Sequence, residues 1–463
     1  MQNLYSEVAS LDQRCYRDYG LTEDILMEHA ADGMADYIRS HHPRDRHVCI
    51  VSGGGNNGAD GIALARLLHR DFKVSLCLAT EKIGEMGQLQ LKRAQAVGVP
   101  LVDTLSECDL LIDALFGSGL SRPLSEKYQS VIETMNSLQA EKIACDMPSG
   151  LQLDGVVQEQ TFLADITLTM GALKKGMFSD AAKEVTGEIR VIDLGVSRAL
   201  YEKESNWKLL DLDDLQLPHR HLKDTHKGSF GHSGIICGEK VGAAVLAGAA
   251  ALRFGSGLVT LISNNQEQIP FELMQSHLLP ETTTALALGM GLGTEFSTEE
   301  LQGLLDNDLP LLLDADIFVH PLFTELIKRD QLVITPHPKE FTTVLRVLGV
   351  ADISVAELQQ QRFKYVTLFS EHYPKVTLLL KGANVIITHK DRFYINPHGS
   401  NILAKGGSGD VLAGLITALM AQGITPLQAA VNGSLAHTLA AQKIQKNSYA
   451  MTPNDLIETI TTL

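Results

Sequence analysis

The residues best suited to chemistry stand at 401–415, NILAKGGSGDVLAGL, where Gly406, Gly407 and Gly409 precede an apolar helix expected to begin near Val411. With no side chains to block approach, their backbone N–H groups can converge on one anion, and the positive end of the helix adds to the attraction. Asp410 then stands where a carboxylate can take a proton from a hydroxyl about to attack a phosphoryl group. The plain alternative is a helix entry in which Asp410 complements the helix dipole and nothing is bound.

A second set lies in the first half of the chain. At 48–68, VCIVSGGGNNGADGIALARLL, a β-type run ends in a glycine-rich loop and opens a helix. This has the form of a dinucleotide-type βα turn without its GxGxxG pattern. Asn56, Asn57 and Asp60 add amide and carboxylate oxygens that a plain pyrophosphate loop does not need, and oxygen donors in a loop suit a hard cation. Two further strand-like runs end alike, LLIDALFGSGLSRP at 110–123 and IACDMPSGL at 143–151. Taken singly, Asp113 is a strand-end aspartate capping the next turn and Ser149 a turn residue after Pro148.

His337 lies between Pro336 and Pro338 at the end of the LVIT run, where open α/β sheets bind ligands; alone, it could equally be a loop histidine. The KGAN turn that starts at Lys381 could bring backbone groups against a nucleotide or simply close a hairpin. His219, His221, His226 and His232 lack carboxylate or cysteine partners at ligand spacing, so no metal is expected there. Arg44, Arg46 and the pair Lys174 and Lys175 read as solvated charge.

These residues need a scaffold, and short strand-like runs alternating with helical patterns supply one: parallel sheets with helices on both faces. A helix over 21–38 precedes the first sheet. A polar, His-containing stretch through Lys227 reads as linker, and the strand pattern restarts at GIICG. The 463 residues exceed one hydrophobic core, and 44% apolar content can fill two. Net charge is −16, from 39 basic and 55 acidic residues, which argues against nucleic-acid or acidic-membrane surfaces. Six scattered cysteines without a CxxC pair read as reduced core residues, and no apolar run is long enough to span a bilayer. A cytoplasmic, homo-oligomeric protein is expected.

The second half carries further motifs in order: GSFGHSGIICG from Gly228, ALALGMGLG at 285–293, LLLDAD at 311–316, TPHPKEF at 335–341 and LLLKGANVII at 378–387. With GGSGD they resemble the ribokinase-like superfamily and, within it, the ADP-dependent NAD(P)H-hydrate dehydratases, with Met290 in place of a usual proline and Ser408 of a frequent threonine. The first half, over roughly residues 1–200, resembles the NAD(P)H-hydrate epimerase domain, with Ala59 where glycine is usual.

The resemblance implies two α/β domains: an N-terminal Rossmann-like three-layer parallel sheet over 1–205 and a C-terminal ribokinase-like α/β/α domain over 206–463. It implies repair of NADHX and NADPHX, the hydrates of reduced nicotinamide cofactors. The first domain would interconvert R and S forms; the second would dehydrate the S form with ADP, leaving AMP and phosphate. Epimerase substrate contacts fall on Asn56, Asn57, Gly58, Ala59 and Asp60, on Gly117, Ser118, Gly119, Leu120, Ser121, Arg122 and Pro123, and on Asp146, which serves as acid or base. A potassium site falls on Asn57, Asp113 and Ser149. In the dehydratase, Ala243, Gly291, Gly293, His337 and Asp410 meet the hydrate, with Asp410 catalytic, while Lys381, Gly382, Ala383, Asn384, Val385 and Gly409 meet the nucleotide. Magnesium is expected with the ADP. The rivals are a vitamin or sugar kinase in the second half and a non-catalytic binding module in the first.

Overall fold

A computed structural model describes residues 1–266 and 268–463. The chain forms two compact units, Asn3–Trp207 and Lys208–Leu463, the latter joined by Met1–Gln2.

The first unit is built on seven strands: β1 (His47–Ser52), β2 (Lys73–Leu78), β3 (Leu101–Val102), β4 (Leu110–Ala114), β5 (Glu141–Cys145), β6 (Ile166–Met170) and β7 (Glu188–Ile192). They lie in the order β3-β2-β1-β4-β5-β6-β7, every pairing parallel. Parallel strands are buried on both faces, so they read as continuous apolar runs. Alternate residues feed two cores. Val48, Ile50, Leu110 and Ile112 pack with the helices α2 (Glu23–His41) and α3 (Asn56–Leu68), whereas Cys49, Val51 and Leu111 pack with Ile132 and Met135 of α5 (Glu126–Ser137). The helix expected over 21–38 thus runs two to three residues later at each end. Helices α1 (Ala9–Tyr19) and α4 (Glu85–Ala96) complete the layers used below.

Nine strands of the second unit are β8 (His232–Ile236), β9 (Leu258–Ile262), β10 (Met274–Ser276), β11 (Ala285–Leu288), β12 (Leu311–Leu313), β13 (Leu332–Ile334), β14 (Thr377–Leu380), β15 (Val385–His389) and β16 (Arg392–Asn396). Their order is β16-β15-β14-β13-β12-β11-β8-β9-β10, parallel except where β15 meets β14 and β16. Helices α6 (Val241–Arg253), α9 (Ser408–Ala421) and α10 (Pro426–Lys443) bury their apolar faces on this sheet; α7 (Pro338–Val347), α8 (Arg362–His372) and α11 (Pro453–Ile460) are used below.

Strand order reverses once in each sheet, between β1 and β4 and between β8 and β11. Such reversals open a crevice at the carboxyl ends of the strands. Both crevices begin at a glycine: a methyl on Gly53 would meet Leu115 O at 2.0 Å, and one on Gly238 would meet Leu292 O at 2.1 Å. Only glycine allows the two diverging loops to approach so closely. The stretch read as linker is partly structured, since Arg198–Tyr201 is helical and Tyr201 is buried in the first unit. Among the described residues no helix is long and apolar enough to cross a membrane, and all six cysteines are free thiols.

Candidate functional site

In the first unit, the β1/β4 crevice opens into a pocket of about 470 Å³. Asn56, Asn57 and Asp60, from the first turns of α3, line it with Gly117, Ser118, Gly119, Leu120 and Asp146. Of the expected contacts, Gly58 and Ala59 are buried behind the helix face, and Ser121, Arg122 and Pro123 are exposed and outside this lining. A methyl on Gly58 would meet Gly53 O at 2.0 Å, so this residue closes the turn.

Asp113, at the end of β4, is fully buried. Its Oδ1 accepts from the Leu115 amide at 3.1 Å and the Ser149 hydroxyl at 2.7 Å, and its Oδ2 accepts from the Ser149 amide at 2.7 Å. Burial pushes this carboxyl up to about 6, although the Ser149 and Leu115 hydrogen bonds oppose the rise. The capping and turn roles for Asp113 and Ser149 are therefore real. In the first turn of α3, both polar side-chain atoms of Asn57 are buried without a hydrogen-bond partner among the described residues. A methyl on Gly117 would lie 2.9 Å from Asn57 Oδ1, so the bare glycine leaves a cradle there. An orphaned buried amide oxygen is an acceptor that a hard cation can take.

Asp146 has a φ of 67°, uncommon for a residue with a side chain. Its Oδ2 accepts from the Ser118 amide at 2.9 Å and its Oδ1 lies 2.5 Å from Lys174 Nζ. Burial alone would raise this carboxyl, but the Lys174 ammonium and the Ser118 and Met170 amides hold it below its ordinary value. Asp60 goes the other way: burial raises it well above the carboxylate range, and the charges of Asp146, Asp12 and Glu23 add to the rise. Two carboxyls pushed apart in one pocket are equipped for acid and base roles. Lys174 corrects the sequence reading. It is fully buried in an ion pair, whereas Arg44 and Arg46 are exposed and paired with Asp71 and Asp109. Asp12 and Tyr201, hydrogen-bonded at 2.7 Å, also line the pocket and carried no motif.

In the second unit, α9 begins at Ser408, three residues before Val411, which places Gly409 and Asp410 in its first turn. First-turn amides have no partner within the helix, so they stay available to an anion. Gly407 has a φ of 92°, and a methyl there would come 2.5 Å from Pro453 Cγ. Behind the loop, buried His437 Nε2 lies 3.0 Å from Ser408 O, and burial pushes the ring down to about 4, so it is neutral and can donate.

Asp410 faces a partly buried ion pair missed by sequence reasoning as a unit: Lys381 Nζ lies 2.7 and 3.0 Å from the oxygens of buried Asp314, the first aspartate of LLLDAD. Burial and then the Asp314 charge raise Asp410 to about 6, against the pull of Lys381 and Lys240. A methyl on Gly409 would sit 3.2 Å from Lys381 Nζ and 3.8 Å from Asp314 Oδ2. Asp410, Asp314, Lys381 and Gly409 thus converge from three separate motifs. The KGAN residues close the β14–β15 hairpin, and Asn384 and Val385 are buried. Across the β8/β11 crevice, Gly291 O accepts from the Lys240 amide at 3.0 Å, and a methyl on Gly291 would be 3.3 Å from Ala243 Cβ. Gly293, with a φ of 56°, donates its amide to Asp316 at 3.2 Å.

His337 is the N-cap of α7. Its Nδ1 accepts from the Glu340 amide at 3.2 Å, Glu340 Oε2 accepts from the His337 amide at 2.8 Å, and Glu340 Oε1 lies 3.0 Å from His337 Nε2. This capping box, with Pro338 at the first helical position, explains the PHPKE spacing locally. His232 is buried between Thr282 and Thr260 hydroxyls at 2.8 and 2.7 Å. Among the described residues no three His, Cys, Asp or Glu side chains cluster as metal ligands.

Residues 233–462 match a family model described as NAD(P)H-hydrate dehydratase, and residues 23–176 match one described as YjeF-related protein N-terminus. The bifunctional NAD(P)H-hydrate repair enzyme of Helicobacter pylori is 41% identical over 474 aligned positions, covering 99% of each chain. That of Escherichia coli is 32% identical, covering 95% of this chain and 89% of its own. The crystal structure of the ADP/ATP-dependent NAD(P)H-hydrate dehydratase from Bacillus subtilis, co-crystallised with ATP and Mg2+, is 29% identical with a TM-score of 0.45, covering 53% of this chain and 92% of that one.

Proposed function

The chain belongs to the family of bifunctional NAD(P)H-hydrate repair enzymes, and from that premise we propose how its two crevices divide the chemistry. The first unit epimerises NAD(P)HX and the second dehydrates the S form at the expense of ADP, giving NAD(P)H, AMP and phosphate. The observation that carries the second assignment is the convergence of Asp410 with Lys381 and Asp314 at a glycine-rich helix start. A carboxylate tuned to about 6 is ionised at neutral pH yet basic enough to draw the proton from the hydroxyl that attacks the phosphoryl group. The amides of the Gly406–Gly409 segment and the positive helix end hold the transferred group, while Lys381 fixes Asp314 and supplies cationic charge beside it. Ala243, Gly291, Gly293 and His337 border the hydrate; the hairpin turn from Lys381 to Val385 meets the nucleotide chiefly through its backbone. Magnesium would accompany the nucleotide and would supply positive charge against the transferring phosphoryl group.

In the first unit, Asn57 Oδ1, Asp113 and Ser149 would hold potassium, which supplies a fixed positive charge for the phosphate-bearing part of the substrate. The orphaned Asn57 amide supports this. Asp146 moves the proton. Joining the activities has a chemical reason: hydration gives both epimers, and a stereospecific dehydratase strands one unless the pair interconverts. We place the enzyme in the cytoplasm as a homo-oligomer, which sedimentation of the full chain tests.

The test of the whole reading is near-ultraviolet absorbance after adding the protein to mixed R and S NADHX with ADP. Full recovery of NADH is expected. Recovery stalling at the S fraction would reduce the first unit to a binding module, and no recovery would point to a kinase of another substrate.

A further inference from the structure

The first pocket holds a buried cation to which no step has been assigned. Lys174 is fully buried, and its ammonium meets three acceptors: Asp146 Oδ1 at 2.5 Å, Thr169 Oγ1 at 2.8 Å and Met170 O at 2.7 Å. An ammonium has three N–H donors, so none remains for a substrate. The two oxygens of Asp146 are treated differently. Oδ1 takes Lys174, with the Met170 amide at 3.3 Å and the Thr169 hydroxyl at 3.4 Å, whereas Oδ2 takes only the Ser118 amide at 2.9 Å. On the Oδ2 side stands Gly117, where a methyl would intrude to 2.8 Å. The carboxylate is thus anchored through one oxygen and open through the other, on a backbone in the left-handed region.

We propose that Lys174 is a positioning residue for epimerisation: it pins Asp146 through Oδ1 and so presents Oδ2 as the atom that exchanges a proton with the substrate. This rests on the epimerase reading of the first unit. Hydration of an enamine double bond puts the hydroxyl on the carbon bonded to nitrogen. When Oδ2 takes the hydroxyl proton, the oxygen pair forms a C=O bond, the C–N bond breaks, and its electrons pass to the ring nitrogen and the conjugated carboxamide. Rotation about the adjacent C–C bond turns the other carbonyl face to the nitrogen. Reclosure there, with the proton returned from Oδ2 to oxygen, yields the other epimer and consumes nothing.

The groups around Asp146 make the cation necessary for this role. Asp12 from α1 and Asp60 from α3 face it with carboxyls, Tyr201 and Cys145 flank it, and Lys174 is the counter-charge. Without Lys174 the burial of Asp146 would be unopposed by charge, its proton affinity would rise, and it would stop acting as a base at neutral pH.

The experiment follows R to S conversion by the full chain across pH, in the unaltered protein, Lys174→Gln and Lys174→Ala, with dehydration of pure S-NADHX as a folding control for the second unit and thermal unfolding as one for the first. Expected in both variants is a fall of about 100-fold in kcat, KM within a few-fold, an acidic limb of the pH profile moved to higher pH, and partial rescue of Lys174→Ala by methylammonium. An unmoved limb, whether activity is kept or lost, would overturn the proposal, because a merely structural lysine has no reason to set the protonation of Asp146. Should the alanine variant not fold, Lys174→Gln, which keeps hydrogen bonding without charge, decides alone. If the unaltered chain leaves R-NADHX untouched, the epimerase reading falls and this proposal with it; a failure confined to the variants' profiles leaves that reading intact.

Discussion

Dehydration should titrate with Asp410, and the structure says in which direction the titration can be moved. Burial and the neighbouring Asp314 charge bring this carboxyl to about 6. A base works only when ionised, so kcat/KM for S-NADHX should be flat above about pH 7, where about nine-tenths is ionised, and fall about tenfold per pH unit below about 6. At pH 5 about one-tenth of the neutral rate remains. Asp314→Asn removes the charge that raises Asp410 and leaves Lys381 unpaired beside it, and both changes favour ionised Asp410. One nearby charge is worth about one pH unit at protein-like effective dielectric. The limb should therefore move down to about 5, and the rate at pH 5 should rise to about half of that variant's own plateau, even though the plateau is lower. Asp410→Asn should lose 10²- to 10⁴-fold at every pH, on the order typical of a missing general base. The assay is NADH absorbance from pure S-NADHX with saturating ADP between pH 4.5 and 8. An acidic limb that Asp314→Asn leaves in place, or an Asp410→Asn variant with an unchanged plateau, would refute the assignment.

Asp113 binds its proton more tightly folded than unfolded, so its ionisation costs stability as pH rises from 3.8 through about 6. At about 1.4 kcal/mol per pH unit the full cost is about 3 kcal/mol, and a bound potassium ion should offset part of it. Potassium should thus raise the melting temperature of the first unit more at pH 8 than at pH 5, and an equal shift at both would reject the site. His337→Ala should remove a capping box worth about 1 kcal/mol and raise KM for the hydrate several-fold; if His337→Asn, which can still cap, restores KM fully, the ring itself does not meet the substrate. Gly409→Ala puts a methyl 3.2 Å from Lys381 Nζ, so KM for ADP should rise more than tenfold in initial-rate assays while the melting temperature changes little.

Much of this architecture was legible because parallel α/β units write themselves as apolar runs ending in glycine-rich turns. In the first sheet β1, β4 and β5 coincide with such runs, and the segments after them carry Asn56, Asn57, Asp60, Gly117 to Leu120 and Asp146 of the pocket lining, whereas the two-residue β3 has no such signal. Helix starts were less legible. Gly409 and Asp410 look like loop residues in sequence, yet the positive φ of Gly407 turns the chain early enough for α9 to begin at Ser408. His337 drew attention as a binding residue, but its partner three positions on makes it a cap as well, and a local capping box shows in sequence only when both ends are read together.

The types of chemistry, a glycine-lined anion site with a base and an oxygen-rich cation loop, were set by short-range patterns, because backbone freedom, turn formation and helix ends depend on residues a few places apart. Which carboxyls are ionised was not. Lys174 pairs with Asp146 across 28 positions and Lys381 with Asp314 across 67, and a charge pair read along the chain as solvated surface becomes, once buried, the cation that holds a carboxylate in use. Burial and approach between distant segments fix proton affinity, and both are properties of the folded chain alone.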